Sequence, residues 1–168
     1  MACCRRRAVT FKESETLSPG HAVTVVDTTV GRLGIGICFD VRFSEQAAVA
    51  ASRGAHILVY PGAFNTVTGP LAWSLLLRAR AADNLLFVCA CSPARVPGAG
   101  YQAYGHSMAV APFGEVLAEA DEHEALVVVD LEMAQIARRR EQIPLYTARR
   151  GDVYTLVDRE KAAEGHDT

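Results

Sequence analysis

Apolar residues recur at two spacings along this chain, and the spacings predict a first part in which strands and helices alternate. Short runs that are β-branched or continuously apolar predict four strands, at residues 21–29, 30–39, 56–61 and 85–92. Longer segments with helical spacing predict two helices, at residues 44–54 and 70–84. Ser44 fits the cap of the first helix and Gly54 its end, whereas Pro70 opens the second helix.

The pattern becomes richer in strands further along the chain. Residues 105–120, "GHSMAVAPFGEVLAEA", predict two strands around a "PFGE" turn, and residues 125–131, "ALVVVDL", predict another strand. Residues 132–142 then predict a helix. This order of elements indicates an α/β fold with a mixed sheet, and no repeat or linker divides residues 1–168 into more than one domain.

Composition narrows the class of protein. Half of the residues are hydrophobic and 21% are charged, which is typical of a globular protein rather than a disordered one. The formal net charge of -2 indicates no nucleic-acid partner and no attraction to an acidic membrane. Five cysteines and an N-terminus, "MACCRRRAVT", without a long apolar stretch predict free thiols and a cytoplasmic location.

Cys38 is the first candidate for chemistry, in the stretch "GRLGIGICFDVRF" at residues 31–43. It lies where a predicted strand ends and the chain turns towards a helix. The positive end of that helix and the nearby Arg42 would both favour the reactive thiolate form. The alternative is that Cys38 is an inert, small hydrophobic residue of the strand.

The other cysteines give little support for a metal site. Cys89 and Cys91 would point to one face of a strand, and Cys3 and Cys4 are adjacent near the N-terminus. None forms the C-x-x-C pair of a structural zinc site. No glycine-rich phosphate loop or dinucleotide motif opens a helix, so we expect neither a metal nor a cofactor.

Several motifs, in this order and at this spacing, carry a family resemblance: "ESETLSPG", "LGIGICFDVRFSE", "LVYPGAFN", "RARAADN", "SPAR" and "GHSMAVAPFGEVL". They resemble the nitrilase (carbon-nitrogen hydrolase) superfamily, and within it the omega-amidase branch. The resemblance implies an α-β-β-α sandwich, with mixed sheets back to back, helices outside and chains that pair through their helices. It also implies hydrolysis of short dicarboxylic acid monoamides of the alpha-ketoglutaramate type to the diacid and ammonia, through a cysteine thioester and without a cofactor.

The resemblance assigns catalytic roles to three positions. Cys38 matches the family's nucleophile, and the backbone NH of Phe39 matches part of the oxyanion site. Glu13 matches a second glutamate that positions the substrate; without the motif it would be an ordinary loop carboxylate.

Three further positions match substrate-binding residues. Arg42 corresponds to the residue associated with the distal carboxylate of the substrate, which a guanidinium can grip through two hydrogen bonds. An ion pair of Arg42 with Asp40 or Glu45 is the structural alternative. Phe64 and Thr68 match residues near the substrate.

The chain departs from the family before "ESETLSPG". The family's general-base glutamate and its lysine lie upstream of this motif, where the chain has only twelve residues that do not resemble that region. Its two lysines, Lys12 and Lys161, match neither position. The sequence therefore predicts an N-terminally incomplete, truncated domain, whose missing strands would leave sheet edges and apolar faces uncovered.

Three hypotheses follow from this departure. In the first, the chain is an incomplete omega-amidase-like hydrolase. In the second, it is a catalytically impaired fragment that acts as a binding or assembly partner, in a homodimer or with a full-length relative. In the third, His106 replaces the lost base, although a structural role suits this histidine of the "GHS" motif.

Overall fold

Six strands form one mixed sheet in the computed structural model, which describes residues 17–160. They lie side by side in chain order as β1 (Thr24–Thr28), β2 (Gly31–Ile35), β3 (Ile57–Pro61), β4 (Phe87–Cys91), β5 (Met108–Val110) and β6 (Val116–Glu119). β2, β3 and β4 run parallel, and the other neighbours run antiparallel. The predicted α/β class with a mixed sheet is confirmed, and these residues form a single sheet with its helices.

Within the described residues, four α-helices accompany the sheet: α1 (Ser44–Ser52), α2 (Gly69–Asn84), α3 (Ala134–Gln142) and the short α4 (Leu145–Ala148). The first three confirm predicted helices, and Pro70 lies in the first turn of α2 as expected. Gly54, with a φ of 86°, follows α1 and ends it. The prediction that Ser44 caps α1 is wrong, because Phe43 occupies the cap position and Ser44 is already helical.

α1 and α2 cover one face of the sheet and form the main core with it. The strand register aligns Gly34, Leu58, Val88 and Val110 on this face. Trp73 of α2 is only 1% exposed, and it belongs to the same apolar cluster as these strand residues. Each fully buried large apolar side chain stabilises the fold by roughly 1.5–3 kcal/mol, so this face provides most of the stability.

The opposite face is covered only at one end. Ile57 and Phe87 lie beneath Ile136 of α3 and are almost fully buried. Further along β3 and β4, Val59 and Cys89 remain only partly buried. The sheet therefore presents an apolar face that its own helices do not fully enclose.

The predicted strand at residues 125–131 is wrong, because this segment pairs with no strand of the described chain. Among residues 17–160, its backbone groups have no backbone hydrogen-bond partner. Val127 and Val129 face the sheet across a cleft of about 320 Å³. Leu126 also lines this cleft, although it is 88% exposed, and Val128 is 78% exposed. The sequence pattern of a strand is present, and the neighbouring strand that would complete it is not among the described residues.

Arg53 ties the C-terminal end of the described chain to the start of the sheet. Its guanidinium binds both carboxylate oxygens of Asp158, at 2.6 and 2.5 Å, and one oxygen of Glu160 at 2.6 Å. It also donates to the carbonyl oxygen of Val23, the residue just before β1, at 2.9 Å. The hydrogen bonds that Arg53 donates to Asp158 raise the pKa of Arg53 above its ordinary value.

None of the helices within residues 17–160 is long and apolar enough to cross a membrane.

Candidate active site

Cys38 begins a 3-10 turn, Cys38–Arg42, just beyond the end of β2. The sequence predicted that the strand continues to residue 39, but β2 ends at Ile35, and the amide of Gly36 makes the last bond to the sheet, to the carbonyl oxygen of Val59 at 3.0 Å. Cys38 itself has a φ of 49°, in the left-handed region that residues with a Cβ rarely adopt. Such a conformation costs about 1–3 kcal/mol and persists only where the surroundings impose it.

Two glycines make room for this turn. An added Cβ at Gly62, in the loop after β3, would lie 2.9 Å from the Cα atom of Cys38. An added Cβ at Gly36 would lie 2.5 Å from the buried ring of Tyr60. Burial raises the pKa of the Tyr60 hydroxyl to about 12, which shows how enclosed the core is beneath the turn. The backbone of Cys38 thus packs against the loop after β3, and this contact leaves no room for a side chain at Gly62.

Asp40 closes the turn through its side chain and its backbone. Its carboxylate accepts a hydrogen bond from the amide of Ile37 at 2.8 Å, and its own amide donates to the carbonyl oxygen of Ile37 at 3.0 Å. The amide of Phe43 then donates to the carbonyl oxygen of Asp40 at 3.0 Å. These bonds fix the conformation in which Cys38 and Phe39 are presented.

Cys38 is half-buried and is a free thiol. It packs against the edge of the main core, while the next side chain, Phe39, is 52% exposed. Within the described ranges, the backbone NH of Phe39 has no hydrogen-bond acceptor. A thiol next to a backbone donor that is not engaged elsewhere is an arrangement suited to acyl transfer.

Arg42 lies between two aromatic rings. Its guanidinium carbon is 5.2 Å from the centroid of the Phe39 ring and 4.9 Å from that of Phe64. Arg42 forms no ion pair with Asp40 or with Glu45, or with any other residue in the part of the chain that the structure describes. Its Nε atom is buried and has no hydrogen-bond partner there. The side chain is therefore held by stacking, with hydrogen-bonding capacity unused.

Phe64 and Thr68 both follow β3 and lie on the approach to α2. Phe64 is 5% exposed and packs on Trp73, with ring centroids 5.1 Å apart, so it forms the inner wall beside Arg42. Thr68 occupies the cap position of α2, and its hydroxyl donates to the side-chain oxygen of Asn65 at 3.1 Å. The same Asn65 oxygen accepts the amide of Thr68 at 2.8 Å. Phe64 therefore lies against Arg42, whereas the hydroxyl proton of Thr68 is used in its hydrogen bond to Asn65.

Tyr101 is a site neighbour that the sequence analysis missed. Burial, and then the charge of Cys38, raise the pKa of its hydroxyl, which shows that the two side chains lie near each other. The hydroxyl donates to the carbonyl oxygen of Ala63, beside the glycine that packs on Cys38. A single tyrosine in an irregular loop carries no periodic signal, so only its position in space identifies it.

The remaining candidates do not join this site. Glu13 lies outside the described residues. His106 is engaged elsewhere: its ring stacks on Tyr104 at 4.0 Å, and its Nδ1 atom lies 3.0 Å from a carboxylate oxygen of Glu119. Its carbonyl oxygen accepts a hydrogen bond from the indole NH of Trp73, as expected of a structural histidine. Residues 17–160 contain no group of three or more His, Cys, Asp or Glu residues that could hold a metal ion.

The close packing of Gly62 on Cys38 leads to a stability prediction. Gly62→Ala should lower the free energy of unfolding by about 1–3 kcal/mol, because the new methyl group would overlap the Cys38 backbone. Urea denaturation followed by the fluorescence of Trp73 measures this. Gly100→Ala is the control, since no atom lies within 4 Å of its added Cβ, and it should change stability by at most about 0.5 kcal/mol. Equal stability of both variants would contradict the packing argument.

A family model described as Carbon-nitrogen hydrolase matches residues 5–141 of this chain. "Omega-amidase, chloroplastic" from Arabidopsis thaliana is 57% identical over 150 residues, which cover 89% of this chain and 41% of that protein. "Omega-amidase NIT2" from Homo sapiens is 50% identical over 148 residues, covering 88% and 54%.

Solved structures agree with these sequence matches. The crystal structure of Saccharomyces cerevisiae Nit3, described as a member of branch 10 of the nitrilase superfamily, has a TM-score of 0.78 at 51% identity, covering 82% of this chain and 51% of that one. The C. elegans NitFhit protein has a TM-score of 0.80 at 39% identity, covering 89% and 37%. The chain thus spans about half the length of the relatives it matches. Both the sequence and the fold show that this chain belongs to the carbon-nitrogen hydrolase family, and it resembles the omega-amidases of that family.

Proposed function

We propose that this chain provides the nucleophile half of an omega-amidase-type hydrolase. The reaction is hydrolysis of a short dicarboxylic acid monoamide, such as alpha-ketoglutaramate, to the diacid and ammonia. One observation carries the proposal: Cys38 stands in a strained left-handed turn, next to the NH of Phe39, which no described residue engages. Strain at a thiol is expected where the thiol has a function, since an inert core cysteine gains nothing from it.

The proposed chemistry proceeds through a covalent intermediate. The Cys38 sulfur attacks the amide carbonyl carbon, and the oxyanion that forms receives a hydrogen bond from the NH of Phe39. The carbon–nitrogen bond then breaks, and the nitrogen leaves as ammonia after it takes up a proton. Water attacks the resulting thioester, which releases the carboxylic acid and regenerates the thiol.

Arg42 is proposed to bind the distal carboxylate of this substrate. The aromatic rings of Phe39 and Phe64 hold its guanidinium, and its buried Nε has no partner among residues 17–160. A carboxylate would supply the missing acceptors through a charge-assisted hydrogen bond. Phe64 is proposed as the apolar wall along the carbon chain of the substrate, and Thr68 as a polar neighbour whose oxygen accepts hydrogen bonds.

The proton-transfer groups are proposed to come from outside residues 17–160. The family resemblance requires a general-base glutamate and a lysine, and both lysines of this sequence, Lys12 and Lys161, lie outside the described range. Groups that act as a unit lose several orders of magnitude in rate when one is absent. The third hypothesis, in which His106 serves as the base, has less support because that ring already binds Glu119 and stacks on Tyr104.

The first prediction of this proposal concerns turnover. The purified 168-residue chain should release ammonia from alpha-ketoglutaramate roughly a thousandfold or more slowly than a full-length omega-amidase, because neither of its two lysines matches the position of the family's lysine. Cys38→Ala should abolish the remaining rate, whereas Cys89→Ala, on the other side of the sheet, should leave it unchanged. A Cys38→Ala variant that retained the activity would contradict the role of Cys38. A rate equal to that of the full-length enzyme would place the base within this chain, and His106→Gln would then test that residue.

The second prediction concerns Arg42 and does not require turnover. The measured quantity is the rate at which iodoacetate alkylates Cys38, divided by the rate with iodoacetamide. This ratio should be higher in the unsubstituted chain than in Arg42→Ala, because only iodoacetate carries a carboxylate for the guanidinium to bind. The ratio of the two rates should fall about tenfold, the size of one charge-assisted hydrogen bond. Mass spectrometry of the Cys38 peptide measures it. Arg138→Ala, an exposed arginine paired with Glu132, is the control. An unchanged ratio in Arg42→Ala would show that Arg42 does not bind the carboxylate.

We further propose that the apolar face left open by the sheet pairs with a second copy of this chain. Leu126 and Val128 are highly exposed apolar side chains of the segment that lies over this face, and the backbone of that segment has no strand partner in the described ranges. Two-fold pairing of identical chains is the commonest way to cover such a surface. The supporting comparison is length, since the match covers only 54% of each of two relatives. A full-length relative could provide an equivalent covering surface.

Pairing predicts a mass in solution of about twice 18.1 kDa by light scattering. Val128→Asp should convert the dimer to a monomer, because a carboxylate would be buried in an apolar interface. Val96→Asp provides the control, since Val96 is also exposed but lies in the loop after β4. A monomer at every concentration would contradict self-pairing, and association only with a full-length relative would assign the surface to that partner.

A further inference from the structure

Arg80 is a buried charge in the middle of α2 that no step of the proposed reaction uses. Its side chain is only 8% exposed. Its Nε donates to the carbonyl oxygen of Val41 at 2.9 Å, and its Nη2 donates to that of Arg42 at 3.3 Å. Its Nη1 forms an ion pair with Asp83 at 2.8 Å. One guanidinium therefore spans from α2 to the last two carbonyl groups of the turn that begins with Cys38.

Burying a guanidinium is unfavourable unless its donors are satisfied, so this placement requires a compensating arrangement. The arrangement here is specific to arginine. The three nitrogens of one planar guanidinium donate to two neighbouring carbonyl oxygens and to a carboxylate. A lysine ammonium cannot reach the same three acceptors in this geometry. The last carbonyls of a helical turn also carry partial negative charge, which favours a cation beside them.

The two bonds fix the peptide planes on either side of the Arg42 Cα atom. Val41, with a fully buried side chain, precedes Arg42, and the carbonyl of Arg42 itself is held at the other side. The direction in which the Arg42 side chain leaves the backbone is set by these planes. That direction is what brings its guanidinium between the rings of Phe39 and Phe64.

We propose that Arg80 is a positioning residue for the carboxylate-binding site: it clamps the carbonyls of Val41 and Arg42 so that Arg42 presents its guanidinium to the substrate. This inference rests on the proposed role of Arg42. Arg80 touches neither the substrate nor the reacting atoms, and acts through the backbone of the turn.

A purely structural role for Arg80 would give a different result. If it only joined α2 to the turn, its loss would lower stability and change the access of all reagents to Cys38 alike. Loss of positioning instead reduces the preference of Cys38 for an anionic reagent over a neutral one. The ratio of the iodoacetate and iodoacetamide rates at Cys38 separates these outcomes, and the same ratio at the exposed Cys91 is an internal reference.

The experiment compares Arg80→Met, Arg80→Lys and Arg78→Met in the full chain, each checked for folding by circular dichroism. Arg78 is the matched control, because it lies on the same helix and also donates to a backbone carbonyl, that of Gly114 at 2.8 Å, far along the chain from the turn. We expect the ratio at Cys38 to fall about three- to tenfold in Arg80→Met and less in Arg80→Lys. Arg78→Met should leave it unchanged.

The outcomes distinguish this inference from the proposed function. If Arg42→Ala lowers the ratio and folded Arg80→Met does not, the positioning role is overturned while Arg42 keeps its assignment. If Arg42→Ala leaves the ratio unchanged, the role of Arg42 fails, and this inference fails with it. Should both Arg80 variants unfold, Asp83→Asn replaces them, since its exposed carboxylate orients Nη1 of Arg80. It should lower the ratio by a smaller factor, and an unchanged ratio would overturn the proposal.

Discussion

The approach of the loop after β3 to the turn after β2 is the contact on which the candidate site depends. Gly62 touches the backbone of Cys38 so closely that a single added carbon would collide with it. This contact holds Cys38 in the left-handed region, and Asp40 fixes the turn from its other end through the amide of Ile37. The thiol, the free NH of Phe39 and the side chain of Arg42 all take their positions from this one backbone geometry.

The sheet and the site show the same division of the molecule. On one face, α1 and α2 enclose the main core, and the turn with Cys38 packs beside it. On the other face, residues 125–131 pair with no strand among the described residues, and Leu126 is 88% exposed. The chain spans about half the length of its relatives.

The sequence predicted those features that depend on local periodicity. The strands, the main helices and the α/β class follow from the spacing of apolar residues, which local chain segments determine by themselves. The end of β2 could not be predicted, because it depends on how Gly62, distant in the sequence, meets Cys38. The strand predicted at residues 125–131 failed for the opposite reason: its local pattern is correct, but a strand forms only where another strand accepts its hydrogen bonds.

The residues of the candidate site were likewise predicted only in part. Motif resemblance located Cys38, Arg42 and Phe64, and the structure brings the latter two together. Whether Arg42 pairs with a carboxylate or stacks on aromatic rings could not be decided from spacing alone, because Asp40, two residues before it, turns out to be engaged with the backbone. Arg80 lies in the motif "RARAADN", but its role was not predicted, since its partners in the turn are carbonyl oxygens, which every residue possesses.

The bonds of Arg53 to Asp158 and Glu160 have a consequence for how the chain behaves as a unit. They close a noncovalent ring of more than a hundred residues around the sheet, so the segment after α4 cannot detach without breaking contacts at the end of α1 and beside β1. The C-terminal end is therefore mechanically linked to the first strands, and a fusion or cleavage near residue 158 would disturb the edge of the sheet that β1 forms.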